Sequence, residues 1–246
     1  MNYPLEPIAV INSPFREKFA TPRQPGLAPS VTATISFYPG YGVPETVRGL
    51  EDFSHLWLIF LFHQNWQQGW QPTVRPPRLG GNRRVGVYAS RSPFRPNPVG
   101  LSAVKLLEID RGKGEVRLRV QGADLIDGTP ILDIKPYIPY GDSPPQARGG
   151  FAEQPPEPVL TVDFSAAATL FLQQHRVREP DLERQIREVL SQDPRPAYRR
   201  QSAEQQEYGM NFADYNIRWA VKAQQATVLE IKPVQISASS IAAAHD

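Results

Sequence analysis

HLWLIFLFH, residues 55–63, places seven consecutive apolar residues between two histidines, the longest apolar run of the chain. A bilayer-spanning helix needs about 20 such residues, so this is no membrane span. Both parities are apolar, which predicts a β-strand buried on both faces. Working outward, PIAVINS (7–13), VTATISF (31–37), RVGVYAS (84–90), EVRLRV (115–120) and ILDIKPY (131–137) are rich in β-branched residues and flanked by breakers. These segments predict further strands. No Gly-x-Gly-x-x-Gly follows the first of them. A β-barrel is therefore expected rather than a doubly wound sheet.

Proline supports the same architecture. Of 26 prolines in 246 residues, 22 fall at or before Pro158. Each would cost ~3 kcal/mol inside a helix, which excludes a helical N-terminal body. SPPQARGGFAEQPPEP, residues 143–158, reads as a linker. Beyond it, Phe164, Ala167, Ala168, Phe171 and Leu172 recur at helical spacing, as do Leu182, Ile186, Val189 and Leu190. YNIRWAV (215–221) and TVLEIKPV (227–234) predict two short strands. The expected fold is mainly β: a compact β-barrel N-terminal domain over 1–142, the Pro-rich linker 143–158, a small α+β C-terminal domain over 159–236, and a tail over 237–246.

Composition removes several classes of function. The chain has no cysteine, which excludes disulfides, thiolate metal sites and a Cys nucleophile. No His/Asp/Glu spacing suggests a metal, and nothing resembles a Ser-His-Asp set or a P-loop. Pro4, Glu6 and Pro7 interrupt the stretch that a signal peptide needs, so a soluble, cytoplasmic protein without membrane partners is expected.

The net charge of +2 says little, but its distribution is informative. From Phe53 to Leu107, 55 residues contain no Asp or Glu, yet hold Arg75, Arg78, Arg83, Arg84, Arg91, Arg95 and Lys105. Trp66, Trp70, Tyr88 and Phe94 are interleaved with them. Guanidinium forks pair with phosphates and aromatic rings stack on unpaired bases, so an RNA loop or a nucleotide fits this face. A solvated face with ion pairs elsewhere in the chain fits the charge equally. RSPFRPNPVG (91–100) holds two of the arginines in a proline-fixed loop. The C-terminal unit repeats the pattern, with Arg195, Arg199 and Arg200 around Tyr198 and Arg218 beside Trp219. Asp127-Gly128 within DLIDGTPILDIKPY (124–137) reads on its own as a tight turn.

PFREKFATPRQPGL, VRGLEDFSHLWLIFLFHQ, RPPRLGGNRRVGVYASRSPFRPNPVGLS and DGTPILDIKPY, in that order, resemble the bacterial tRNA methyltransferases that act on N6-threonylcarbamoyladenosine at position 37, the TsaA-like family. The likeness runs from about residue 6 to 142 and resumes at DPRPAYR and DYNIRWAV, as in the longer bacterial members. It implies a compact β-barrel enzyme that uses S-adenosylmethionine, modifies the tRNA anticodon loop and works as a homodimer. A non-catalytic RNA-binding barrel, or a methyltransferase with another acceptor, would share these features.

Carried over by motif, the cofactor contacts fall on Pro22, Arg23 and Gln24, on His63 and Gln64, on Arg91 and Leu101, and on Asp127, Gly128, Thr129 and Pro130. Asp127 or Asp133 is the expected acceptor of the N6 proton. Arg95 or Arg84 is expected to grip the threonyl carboxylate. Arg75, Arg83, Arg199 and Arg200 are expected on phosphates, with Trp66 and Trp70 against bases. Every matched cofactor position lies at or before Pro130, so the pocket is expected to be complete without the C-terminal unit.

Overall fold

The structure, a computed structural model, describes residues 3–196, 199–200 and 204–234. Tyr198 and the 237–246 tail lie outside the described residues. The N-terminal strands are β1 (Ala9–Asn12), β2 (Thr32–Phe37) and β3 (His55–Leu61), a short hairpin of β4 (Thr73–Val74) and β5 (Val85–Gly86), then β6 (Val99–Asp110), β7 (Arg117–Gln121) and β8 (Thr129–Pro136). Six of them close into a barrel in the order β1-β2-β7-β6-β3-β8, every neighbour antiparallel. Closure leaves this sheet no open edge.

One face of each strand fills the barrel, with Ile11, Ile35, Leu56, Leu58, Leu118 and Ile131 fully buried. Phe60 occupies the space opposite Gly100, where a Cβ would stand 2.2 Å from the Phe60 Cζ. That position therefore tolerates no side chain. β3 departs from expectation. Leu56, Leu58 and Phe60 point inward, but Trp57, Ile59 and Leu61 lie on the outer face and are only half-buried. A single closed sheet has nothing behind it to bury the second face.

RVGVYAS also differs: pairing stops at Gly86, and Val87–Ala89 forms a 3-10 turn. Arg95 Nη1 donates to the Val87 and Ser90 carbonyls at 3.1 and 2.7 Å, drawing them out of any ladder. The twelve-residue β6 is not singled out by composition, although Gly100, Ser102 and Val104 alternate inward along it.

After a single turn, α1 (Pro139–Asp142), come β9 (Thr161–Phe164), α2 (Ala166–His175), α3 (Leu182–Ser191), β10 (Gln206–Phe212), β11 (Tyr215–Lys222) and β12 (Gln225–Pro233). Phe164 ends β9 rather than opening the helix, because Ser165 caps α2 by accepting the Ala168 N–H at 3.1 Å. The sheet runs β10-β11-β12-β9, with β9 parallel to β12. Leu182, Ile186, Val189 and Leu190 of α3 are all buried, as their spacing predicts. β9 and β10 carry no clear sequence signal of their own.

The two cores are separate clusters, and the second draws on the N-terminal stretch. Phe15, Ala20, Ala28 and Val31 pack with Ile186, Leu190, Ile217 and Trp219. Phe15 bridges to Phe212 across the two units, their rings 5.7 Å apart and edge to face. Ser30 gives its N–H and its hydroxyl to Glu188 on α3, at 2.8 and 2.7 Å. The segment 13–31 is thus a strap laid over the C-terminal core.

Candidate functional site

The strap delivers Pro22, Arg23 and Gln24 to the barrel. Gln24 Oε1 accepts from Arg91 Nη1 at 2.8 Å, joining two motifs that lie 67 positions apart. Just beyond, the Gly26 N–H donates to the Gly122 carbonyl at 2.8 Å, and Gly122 adopts φ +77° where the chains meet. His63 and Gln64 follow β3 and line a cleft of about 350 Å3 with Leu61, Trp66 and Gln67. Burial lowers the His63 pKa, and Lys18 on the strap acts in the same direction, against a backbone hydrogen bond at Leu61 that raises it.

The turn Ile126–Thr129 forms as expected, with Gly128 at φ +74° and Thr129 Oγ1 donating to the Ile126 carbonyl at 2.6 Å. Asp127 does more than shape it. Its Oδ1 accepts the Ser13 N–H at 2.9 Å, and its Oδ2 is paired with Arg16. Asp133 lies on the outer face of β8, its carboxylate 3.0 Å from Lys135 Nζ. In register, Leu101 pairs with Ile59 and Ile59 with Asp133, so these three form one row across the outside of the barrel. Leu101 is exposed and shares that face with Leu61 of the cleft. The two candidate acids thus stand in different surroundings, and neither is an unpaired carboxylate.

Sequence reasoning passed over Asp124, three residues before Asp127. It is largely buried and accepts the Ser102 hydroxyl at 2.5 Å. Burial pushes its pKa up to about 6, opposed by the Ser102 hydrogen bond and by the nearby charge of Arg91. Arg16 was equally silent: a single cation in a loop carries no spacing signal.

The basic face divides into three groups. Arg75, Arg83 and Arg84 are exposed around the β4–β5 hairpin, with Arg84 Nη1 donating to Thr73 Oγ1 at 2.9 Å. Arg78 instead donates to the Gln154 carbonyl of the linker. Arg95 staples the 87–90 loop as described above and lies 5.7 Å from the Tyr88 ring centre. Trp66 and Trp70 are 60% and 55% exposed, which removes them from the core of the chain.

The C-terminal cations are partly spent. Arg195 is buried against Asp193 at 2.8 Å, and Arg200 donates to the Asp193 carbonyl at 2.8 Å. Arg218 pairs with Glu207 and Glu230, while Trp219 is fully buried, so these two form no exposed cation-and-ring surface. Arg199 lines a second cleft of about 480 Å3 with Phe19, Pro196, Gln206, Glu207 and Tyr208. Partial desolvation and the Arg200 charge lower the Arg23 pKa, while Asp193 opposes them.

Among the described residues no helix is long and apolar enough to cross a membrane, and no cluster of His, Asp and Glu could hold a metal. The matched positions of the strap lie in sequence before Pro130 but in space beside the C-terminal unit. Phe15, Phe19 and Ala20 on one side, and Ala28 and Val31 on the other, bind Pro22–Gln24 to the C-terminal core.

Comparison with known proteins matches residues 10–143 to the tRNA-methyltransferase O N-terminal domain and residues 157–234 to the TrmO C-terminal domain. The tRNA (adenine(37)-N6)-methyltransferase of Escherichia coli K12 is 47% identical over 232 residues, 94% of this chain and 99% of the relative. RcsF of Pseudomonas aeruginosa, named for S-adenosylmethionine-dependent methyl transfer, is 45% identical over 89% of this chain and 93% of its own. A crystal structure of TrmO from Pseudomonas aeruginosa superposes with a TM-score of 0.78 at 37% identity, covering 94% of this chain and 99% of that one.

Proposed function

The chain belongs to the tRNA-methyltransferase O family, and from that premise we propose that it moves a methyl group from S-adenosylmethionine to N6 of adenosine 37 in the tRNA anticodon loop, with the threonylcarbamoylated base as its substrate. The observation that carries this reading is the meeting of Gln24 with Arg91, which brings two of the matched motifs into contact across 67 positions. The residues suit the donor. Leu61 and Trp66 offer apolar walls to the cleft, and Gln64 and Gln67 offer amides. When bound, S-adenosylmethionine supplies a sulfonium-activated methyl group. The protein's task is then to hold N6 in line at near-attack distance.

Loss of the N6 proton needs an acceptor. Asp127 spends both oxygens on Ser13 and Arg16, so it serves to hold the turn. Asp133 also engages both oxygens, with the Ile134 N–H at 2.8 Å and Lys135 at 3.0 Å, but its side chain is the more exposed of the two, 46% against 28%, and it is the acceptor we favour. Arg95 is committed to backbone carbonyls, which leaves exposed Arg84 to grip the threonyl carboxylate. Arg75, Arg83 and Arg199 serve the phosphates, while Arg200, tied to Asp193, is less available to them than expected, and Trp66 and Trp70 serve the splayed bases. Trp57, Ile59 and Leu61 with exposed Leu101 form an apolar face suited to a second copy, which supports a homodimer; the cytoplasm is its compartment on this reading, because the substrate is tRNA.

Mass spectrometry of nucleosides after incubation with tRNA and S-adenosylmethionine tests the reading. A methylated threonylcarbamoyladenosine is expected. Calorimetry showing no binding of S-adenosylmethionine, with unchanged nucleosides, would refute it.

A further inference from the structure

Arg16 joins three segments with one guanidinium. Its Nη1 pairs with Asp127 of the matched turn, its Nη2 reaches Asp214 Oδ1 at 3.3 Å, and its Nε donates to the Ala213 carbonyl at 3.1 Å. Ala213 and Asp214 form the turn between β10 and β11 of the C-terminal sheet. Backbone bonds run in parallel: the Asp127 N–H donates to the Phe15 carbonyl and the Ala213 N–H to the Pro14 carbonyl, both at 2.8 Å.

The strap that follows Arg16 is held at both feet by the same unit. At the first foot, Glu17 accepts the Asn211 N–H at 2.9 Å, and Phe19 stacks on Tyr208 and Trp219 at 6.2 and 6.3 Å. Ala20 takes φ +69°, a left-handed conformation that a residue with a Cβ keeps only when its surroundings over-determine it. At the second foot, Ser30 is held by Glu188 and by Gln185 Nε2, which donates to its carbonyl at 3.1 Å. Pro22–Gln24 lies between the feet, reaching over to Arg91.

We infer that the methyl-donor site of this protein, although built from the N-terminal domain, is held in place by the C-terminal one, and that Arg16 is its positioning residue, locking the Asp127 turn and the Pro22–Gln24 loop to the β10–β11 hairpin of the C-terminal domain. The inference rests on the donor-site reading above. Arg16 does not act on the substrate; it fixes the geometry of groups that meet the donor. A guanidinium is suited to this because its planar fork serves several acceptors at fixed angles, which a lysine ammonium does not reproduce.

The test uses the full chain with Arg16→Ala, Arg16→Lys and, at the other foot, Glu188→Ala. Calorimetry measures S-adenosylmethionine affinity, steady-state kinetics separates KM for each substrate from kcat, and thermal melting reports folding. Arg16→Ala is expected to raise the dissociation constant and KM for S-adenosylmethionine by about tenfold or more, the scale of one lost charge-assisted hydrogen bond. KM for tRNA should move much less, and Arg16→Lys should restore only part of the loss. A folded Arg16→Ala protein with unchanged donor affinity overturns the inference. If Arg16→Ala does not fold, Glu188→Ala decides: weakened donor binding with tRNA binding retained supports the inference, and unchanged donor binding overturns it. Wild-type protein that binds no S-adenosylmethionine would instead overturn the donor-site reading itself.

Discussion

Asp124→Asn isolates the energetic consequence of burying a carboxylate beside the site. In the unfolded chain the carboxyl titrates near 3.8, whereas in the folded barrel burial raises it to about 6. Below about pH 4 both states are protonated and the group is neutral for stability. Between about pH 4 and 6 the folded protein keeps a proton that the unfolded chain releases, so stability falls as pH rises through this window. Above about 6 the full penalty applies: about two pKa units at ~1.36 kcal/mol each, or about 3 kcal/mol.

Asparagine has nearly the same shape, carries no charge, and its carbonyl can still accept the Ser102 hydroxyl. The variant should therefore melt roughly 6–12 °C above wild type at about pH 7.5 and match it at about pH 4, given ~2–4 °C per kcal/mol for a chain of this size. Circular-dichroism melts across that range measure it. A variant less stable than wild type at the higher pH, or a gain independent of pH, would refute the desolvation argument. Methyl transfer should weaken in the same variant, since Arg91 loses a carboxylate whose charge it feels.

Gly100→Ala should cost at least about 1–3 kcal/mol, because the new Cβ meets the Phe60 ring at 2.2 Å; a denaturant midpoint equal to wild type would contradict this. Truncation after Pro158 should yield insoluble protein or protein without donor binding, since Phe15, Ala20, Ala28 and Val31 lose the core they share with α3 and the C-terminal sheet. A soluble barrel with full donor affinity would count against the shared core. Replacing Arg75, Arg83 and Arg84 with Ala should weaken tRNA binding in filter assays and reduce its logarithmic salt slope by about 0.7–0.9 per lost phosphate contact. Donor affinity, read by calorimetry, should stay within about twofold, a difference well under 1 kcal/mol.

Properties set by neighbours along the chain were legible before any coordinates. The alternation of VTATISF and EVRLRV, the 3.6-residue period of Leu182–Leu190 and the breaks imposed by proline each reflect local sterics and a local choice of buried face. They led to a mainly β chain with a barrel and a smaller α+β unit, and the family motifs picked out Gln24, Arg91 and the Asp127 turn. Periodicity misread the outer face of β3, because apolar character shows that a surface avoids water without showing what covers it. Trp57, Ile59 and Leu61 are half-buried for that reason.

Only the tertiary structure decided what Asp127, Asp124 and the 13–31 strap do. Arg16 meets Asp127 across 111 positions and Asp214 across 198, and Ser30 meets Glu188 across 158. Burial of Asp124, in the loop between β7 and β8, depends on the fold bringing it to Ser102 of β6, 22 positions away. Neither a pairing over such separations nor a change in solvation is encoded in any window of sequence, because both depend on which distant surfaces the folded chain brings together.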